Sequence, residues 1–263
     1  MTFIHTFEPV AIAFQLGSIT IYWYGIIMAL AIATALLFAT HTAKFFQIAK
    51  ETILDLSIWL IAGGLIGARV YEIFLNFPYY QNNPKEVIQI WHGGLAIHGA
   101  LIGGFIALLL FDKRKKINPL NMIAILTPAI ALGQAIGRWG NWFNQELFGL
   151  PTGLPWGIPI NFLNRPEGYK AFTYFHPTFL YESIANLILA IILYICIRQK
   201  KSAGIIVGIY MVGYGIIRFA LEFIKIDPTP EMVGLRLPQL VSIILILIGF
   251  GVIFGQDTKK QLI

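Results

Sequence analysis

Met122-Ile-Ala-Ile-Leu-Thr-Pro-Ala-Ile-Ala-Leu-Gly-Gln-Ala-Ile136 runs without a break into Gly137-Arg138-Trp139-Gly140-Asn141-Trp142-Phe143-Asn144-Gln145-Glu146-Leu147-Phe148-Gly149. With its flanks, the first part is long enough to cross a membrane as a helix. The second part sets one arginine, two asparagines, a glutamate and three glycines at the mouth of that span. Polar groups at a membrane boundary are costly unless something pairs with them. Glycine lets a ligand come close to the backbone. A positive charge, amide donors and open backbone together fit an anionic head group. The same residues also read as a capped helix end with Arg138 anchored at the interface. The other buried charges decide between the two.

Outward from that stretch, the 263 residues are 57% hydrophobic and 12% charged, with a mean hydropathy of +0.72. Soluble domains carry about 25% charged residues. The chain therefore reads as an all-α integral membrane protein, because repeated long apolar runs make helices rather than a barrel. Its net charge of +6 belongs to basic loops rather than to nucleic-acid binding. One cysteine, Cys196, cannot form an intrachain disulfide. The start of the chain lacks a basic region before an apolar one, so no cleavable signal peptide is expected.

Seven spans are expected, at residues 16–40, 52–74, 94–111, 117–136, 176–198, 202–224 and 237–255. They make one polytopic domain over residues 1–263. Tyr22-Trp23-Tyr24 suits an interface belt. Gly63 and Gly67 have the small-xxx-small spacing of close helix packing. Between the fourth and fifth spans, residues 138–175 are rich in Pro, Gly, Asn and aromatics. They read as an ordered cap, since their aromatics can bury surface.

Alternate loops hold Lys44 and Lys50; Lys113 to Lys116 with Arg114; Arg198, Lys200 and Lys201; and Lys259 and Lys260. By the positive-inside rule these loops are cytoplasmic. The N-terminus and the cap are then outside, and the C-terminus is cytoplasmic.

On this topology Arg69, Glu72, His98, Arg138, His176, Glu182, Arg218 and Glu222 fall at one depth, near the outer leaflet. Snorkelling alone would decorate both sides. Internal pairing is the bland account, with Arg218 and Glu222 at i, i+4 and Arg69 and Glu72 at i, i+3. It leaves Arg138 without an acidic neighbour on its own helix. A guanidinium grips phosphate with a two-point fork, so an anionic ligand would complete the balance. His98 is the best acid/base candidate, with glycines at 93, 94, 99, 103 and 104 clearing space around it. Tyr181 and Tyr214 are placed to hydrogen-bond the cluster. His92 reads as a loop residue. No metal-ligand spacing is seen.

The stretch at 137–149 resembles the signature of the bacterial phosphatidylglycerol–prolipoprotein diacylglyceryl transferase family. So do Tyr-Trp-Tyr-Gly at 22–25, Ile-His-Gly-Ala-Leu-Ile-Gly at 97–103, His-Pro-Thr-Phe-Leu-Tyr-Glu at 176–182 and Tyr-Gly-Ile-Ile-Arg-Phe-Ala-Leu-Glu-Phe at 214–223. The resemblance covers nearly the whole chain, in order. One departure is Ala100, where the family usually has a second glycine after the histidine.

The resemblance implies transfer of the diacylglyceryl group of phosphatidylglycerol to the lipobox cysteine thiol of a prolipoprotein, with glycerol phosphate leaving. It implies catalytic roles for His98, Arg138 and Arg218. It implicates Tyr24, Asn141, Glu146, Gly149, Tyr214 and Glu222 in the substrate site, and Asn144 is grouped with them. Its partners would be phosphatidylglycerol, the lipobox segment and membrane lipid, with no cofactor, no metal and no nucleic acid. The location would be the bacterial cytoplasmic (inner) membrane. The rival reading is a transporter or channel with an outer-leaflet anionic site, which predicts midplane polar residues and broken helices.

Overall fold

A computed structural model describes residues 3–17 and 19–261. The side chains of Lys259 and Lys260, read above as a basic tail, lie outside that description, as do the first two residues of the N-terminal stretch. The chain order is β1 (Ile12–Leu16), β2 (Ile19–Tyr22), α1 (Trp23–Ala43), α2 (Lys50–Leu75), α3 (Ile97–Lys115), α4 (Pro119–Asn144), β3 (Ile158–Pro159), β4 (Tyr174–Phe175), α5 (Thr178–Arg198), α6 (Ala203–Glu222), β5 (Glu231–Met232), β6 (Leu235–Arg236) and α7 (Leu237–Gln261).

Among the described residues, six helices are long and apolar enough to cross a membrane: Trp23–Phe46, Lys50–Leu75, Pro119–Asn144, Thr178–Arg198, Ala203–Glu222 and Leu237–Gly255. The chain is a multi-pass membrane protein. At the expected third span the structure has α3, whose last turns carry Asp112, Lys113, Arg114 and Lys115. Those charges keep it out of the six.

Two boundaries differ from the sequence reading. The first span does not start at residue 16, because Ile12–Leu16 pairs antiparallel with Ile19–Tyr22. Their alternating β-branched and aromatic residues suit strands, and Gly17 supplies the turn at φ +59°. Helix α4 does not stop at Ile136 but runs on to Asn144. The signature stretch is therefore helical for two further turns. Left-handed Gln145 and Leu147 then break it, at φ +52° and +54°.

The chain divides into two compact units, Met1–Ala39 with Ala124–Ile263, and Thr40–Ile123. In the first, α1 packs on α4 through small residues. A Cβ on Gly133 would lie 3.4 Å from the Ala35 methyl, and one on Gly140 would lie 2.8 Å from the Tyr24 ring. Helix α5 joins α4 by a hydrogen bond from Ser183 Oγ to the Ala135 carbonyl at 2.7 Å. Helix α6 meets α7 closely at Gly208 and Gly215.

Residues 145–177 pack against the end of α4 and the start of α5 in this unit. Phe148, Ile158, Ile160 and Phe175 bury with Trp142 and Phe179, and β3 pairs with β4. Each such side chain contributes roughly 1.5–3 kcal/mol of apolar burial. That is what the aromatics of the segment are for. Gln145 pins this segment, donating to the Pro9 carbonyl at 2.8 Å and accepting from the Asn161 amide at 2.6 Å.

In the second unit α2 and α3 pack backbone to backbone. A Cβ on Gly67 would lie 2.3 Å from the Gly99 carbonyl, and one on Gly103 would lie 2.2 Å from that of Gly63. Gly63 and Gly67 thus play the packing part their spacing predicts. Gly99 and Gly103 do not clear space around His98; they receive α2. Gly104 faces open space.

Candidate active site

Two helices of the first unit, and the connection after α6, deliver cations to one buried carboxylate on a third helix. Glu182, near the start of α5, is 1% exposed. Its Oε1 lies 2.5 Å from Arg138 Nη2, on α4. Its Oε2 lies 3.2 Å from Lys225 Nζ and 4.0 Å from Arg218 Nη1, on α6. Glu222, also 1% exposed, is shared by Arg218 at 3.3 Å and Arg236 at 3.3 Å. Four cations thus meet two carboxylates. Burying such a network is favourable only when charges are paired, and here the excess is positive. Arg138 and Arg218 are the most open members, their side chains 21% and 23% exposed against 17% for Arg236 and 3% for Lys225.

A second chain of contacts runs through the signature. Arg138 Nη1 donates to Asn141 Oδ1 at 3.4 Å. Asn141 and Asn144 both donate to Glu146 Oε1, at 2.8 and 3.3 Å. The left-handed turn after Asn144 folds Glu146 back beneath the helix end, which is why residues so close in sequence meet. Tyr24 stacks its ring over Gly140. A cavity of about 700 Å³ beside Tyr24 and Asn144 is lined by Ile21, Gly25, Ile26 and Ala29, an apolar wall. Tyr214 stacks on Tyr210, with ring centroids 5.8 Å apart and 12° between planes.

Gly149 is pressed between backbones. Its amide donates to the His176 carbonyl at 2.9 Å, it bridges to Lys225, and a Cβ there would lie 2.8 Å from the Ile224 carbonyl. Only glycine lets this segment pass so close to the chain leaving α6. Burial pushes the Lys225 ammonium below its ordinary pKa; Arg218 and Arg138 push the same way, against the pull of Glu182.

The structure therefore joins Arg138, Asn141, Asn144, Glu146, Arg218 and Glu222 into contact networks in one unit, with Tyr24, Tyr214 and Gly149 packed as described. His98 is in the second unit, exposed at the start of α3, with its ring 6.1 Å from that of Tyr71. Two expectations are corrected. Arg69 does not pair with Glu72. It donates to the Val87, Gly93 and Gly94 carbonyls at 3.0, 2.8 and 2.8 Å and to Tyr80 Oη, clasping the loop of its own unit. Glu72 accepts from Asn76 instead. Tyr181 turns away from the charged cluster to residues 145–177, where its hydroxyl meets His176 Nδ1 and accepts from Trp156 Nε1. His92 is tied to Glu86 at 3.0 Å.

Sequence reasoning noticed Glu182 but did not assign it to the site, and it passed over Lys225 and Arg236. One signal was available. Both basic residues sit in a connection that the alternating-loop pattern leaves poor in Lys and Arg, and Lys225 is one helical turn beyond Glu222.

Comparison with known proteins bears on this arrangement. A family model described as prolipoprotein diacylglyceryl transferase matches residues 11–255. The chain belongs to the prolipoprotein diacylglyceryl transferase family. Similar members named phosphatidylglycerol–prolipoprotein diacylglyceryl transferase come from distant bacteria. The Synechocystis protein is 42% identical over 97% of this chain and 92% of its own. The Synechococcus elongatus protein is 40% identical over 94% and 88%. The Finegoldia magna protein is 42% identical over 96% and 97%. The resemblance drawn from separated motifs thus extends to prolipoprotein diacylglyceryl transferases along almost their full length.

Proposed function

We propose that the chain transfers the diacylglyceryl group of phosphatidylglycerol to the lipobox cysteine thiol of a prolipoprotein. The supporting observation is the gathering of Arg138, Arg218 and Lys225 on the one buried carboxylate of Glu182. A cluster with excess positive charge and two partly open guanidiniums suits a phosphodiester. The curated relatives carry that substrate in their names. The transporter reading has no such support.

The reaction breaks the bond between the diacylglyceryl carbon and its phosphate oxygen and forms a carbon–sulfur bond. The electron pair of the broken bond leaves on glycerol phosphate. A cysteine thiol has a pKa of about 8.5 and attacks only as thiolate. His98 takes its proton in this reading, or the positive potential of the arginines lowers its pKa. Arg138 and Arg218 stabilise the charge that builds on the leaving phosphate. Asn141, itself held by Glu146, orients the head group beside Arg138, with Asn144, Gly149 and Tyr214 around it. Glu222 orients Arg218. The apolar cavity next to Tyr24 takes an acyl chain.

The reading includes the finer topology. The chain is one polytopic domain of seven spans in the bacterial cytoplasmic membrane. Its N-terminus and the cap over residues 138–175 are outside, its C-terminus is inside, and the site faces the outer leaflet.

The test uses purified protein in detergent with phosphatidylglycerol and a lipobox peptide, and mass spectrometry of the peptide's cysteine. Wild type and His98→Gln run side by side. An adduct from wild type alone gives His98 an essential role. An adduct from both keeps the transferase and removes His98 from the chemistry. No adduct from folded wild type overturns the reading.

A further inference from the structure

Arg236, in β6, spends most of its guanidinium on the protein. Its Nε donates to Thr229 Oγ1 at 2.7 Å. Its Nη1 donates to the carbonyls of Glu222 and Lys225 at 2.9 and 2.8 Å, and Nη2 donates to that of Asp227. The same Nη1 lies 3.3 Å from Glu222 Oε1. A guanidinium has five N–H donors in a fixed fork, and here every nitrogen faces chain atoms. Its side chain is 17% exposed. Four of those five donors are spent on chain oxygens, more than Arg138 or Arg218 spends.

What it holds matters more. On one side it neutralises Glu222, whose other oxygen pairs with Arg218. On the other it fixes the backbone at Lys225, whose ammonium reaches Glu182, the carboxylate shared by Arg138 and Arg218. One largely buried cation thus contacts the Glu222 hub directly and reaches the Glu182 hub only through the Lys225 backbone. Without it, Glu222 has Arg218 as its remaining cation, and that pair tightens at the expense of the charge Arg218 presents outward. Sites held to such tolerance depend on the groups behind them.

We propose that Arg236 is a positioning residue for the Arg138–Arg218 pair, acting through Glu222 and Lys225. The proposal rests on the transferase reading above.

Wild type, Arg236→Gln and Arg236→Lys are compared in detergent with phosphatidylglycerol and a lipobox peptide, measuring kcat, KM and Tm. The expected result is a loss of tenfold or more in kcat for Arg236→Gln, with KM for the peptide within threefold of wild type. Arg236→Lys restores a cation beside Glu222 and should recover at least threefold of that loss. A plain structural clasp would lower Tm in both variants and leave kcat per folded molecule unchanged. Wild-type kcat in Arg236→Gln, or a lysine variant no better than glutamine, overturns the proposal. If Arg236→Gln does not fold, Thr229→Val removes the Nε partner alone; it should cost two- to fivefold in kcat, and a wild-type value overturns the proposal. If wild type itself forms no adduct, the transferase reading fails, and retention of phosphatidylglycerol by native mass spectrometry decides this one. Retention weakened in Arg236→Gln and regained in Arg236→Lys supports positioning, whereas equal retention overturns it.

Discussion

Arg138 Nη2 sits 2.5 Å from Oε1 of Glu182, across the contact between two helices. The arginine with no acidic neighbour on its own helix has one on the next. Glu182 is 1% exposed and also answers to Lys225 and Arg218. Glu182→Gln keeps the shape and removes the charge, leaving three cations in mutual repulsion. Breaking a buried pair costs about 3–5 kcal/mol. The variant should lose several degrees of Tm and at least tenfold in product formation. A Tm equal to wild type in a detergent melt would show that the cluster is not held by this carboxylate.

Arg138 divides its fork, giving Nη2 to Glu182 and Nη1 to Asn141. A lysine carries the charge but only one nitrogen. Arg138→Lys should keep the fold and lose tenfold or more in kcat/KM. Wild-type rates in the peptide assay would remove the phosphate clamp from the mechanism.

The helices and the glycine packing of α2 were legible because hydropathy and small-residue spacing are local properties. Arg138, Asn141, Glu146, Arg218 and Glu222 were legible through motifs. The pairing of Arg138 was not, since Glu182 lies on another helix and only packing brings them together. Arg69 shows the opposite failure. Its i, i+3 spacing to Glu72 invited a local pair, yet backbone carbonyls of the following loop outcompete that carboxylate. Arg236 was hidden because backbone carbonyls leave no trace in a sequence.

Gly149 touches the chain at Ile224 and His176 so closely that a methyl group would lie 2.8 and 2.9 Å from their atoms. Overpacking of this kind costs about 1–3 kcal/mol. Gly149→Ala should lower Tm and push the 223–236 connection, with Lys225, away from Glu182. Activity should fall more than stability alone explains. A fully active Gly149→Ala protein would show that this contact does not set the site.

Cys196 is partly buried in α5, far along the helix from Glu182. If the attacking thiol comes from the substrate, Cys196→Ala should turn over at the wild-type rate. An inactive but folded variant, seen as a normal Tm with no peptide adduct, would overturn the substrate-thiol mechanism.

Asp227 lies in the connection that Arg236 clasps. Burial pushes its pKa above the ordinary 3.8, and Glu222 adds to that; Lys225 and Arg236 pull it down but do not win. The native state therefore holds the proton more readily than the unfolded chain does. Below pH 3.8 both folded and unfolded chains hold the proton, and the residue is without effect on stability. As pH rises from there the unfolded chain ionises first, so stability is lost until the native carboxyl ionises too, after which the penalty is constant. Asparagine cannot ionise. Asp227→Asn should match wild type in acid and become the more heat-stable protein as pH rises towards neutrality, then hold that lead. Melting curves in one detergent at several pH values measure the difference. A lead that shrinks as the pH is raised would mean that Lys225 and Arg236 outweigh burial at this position.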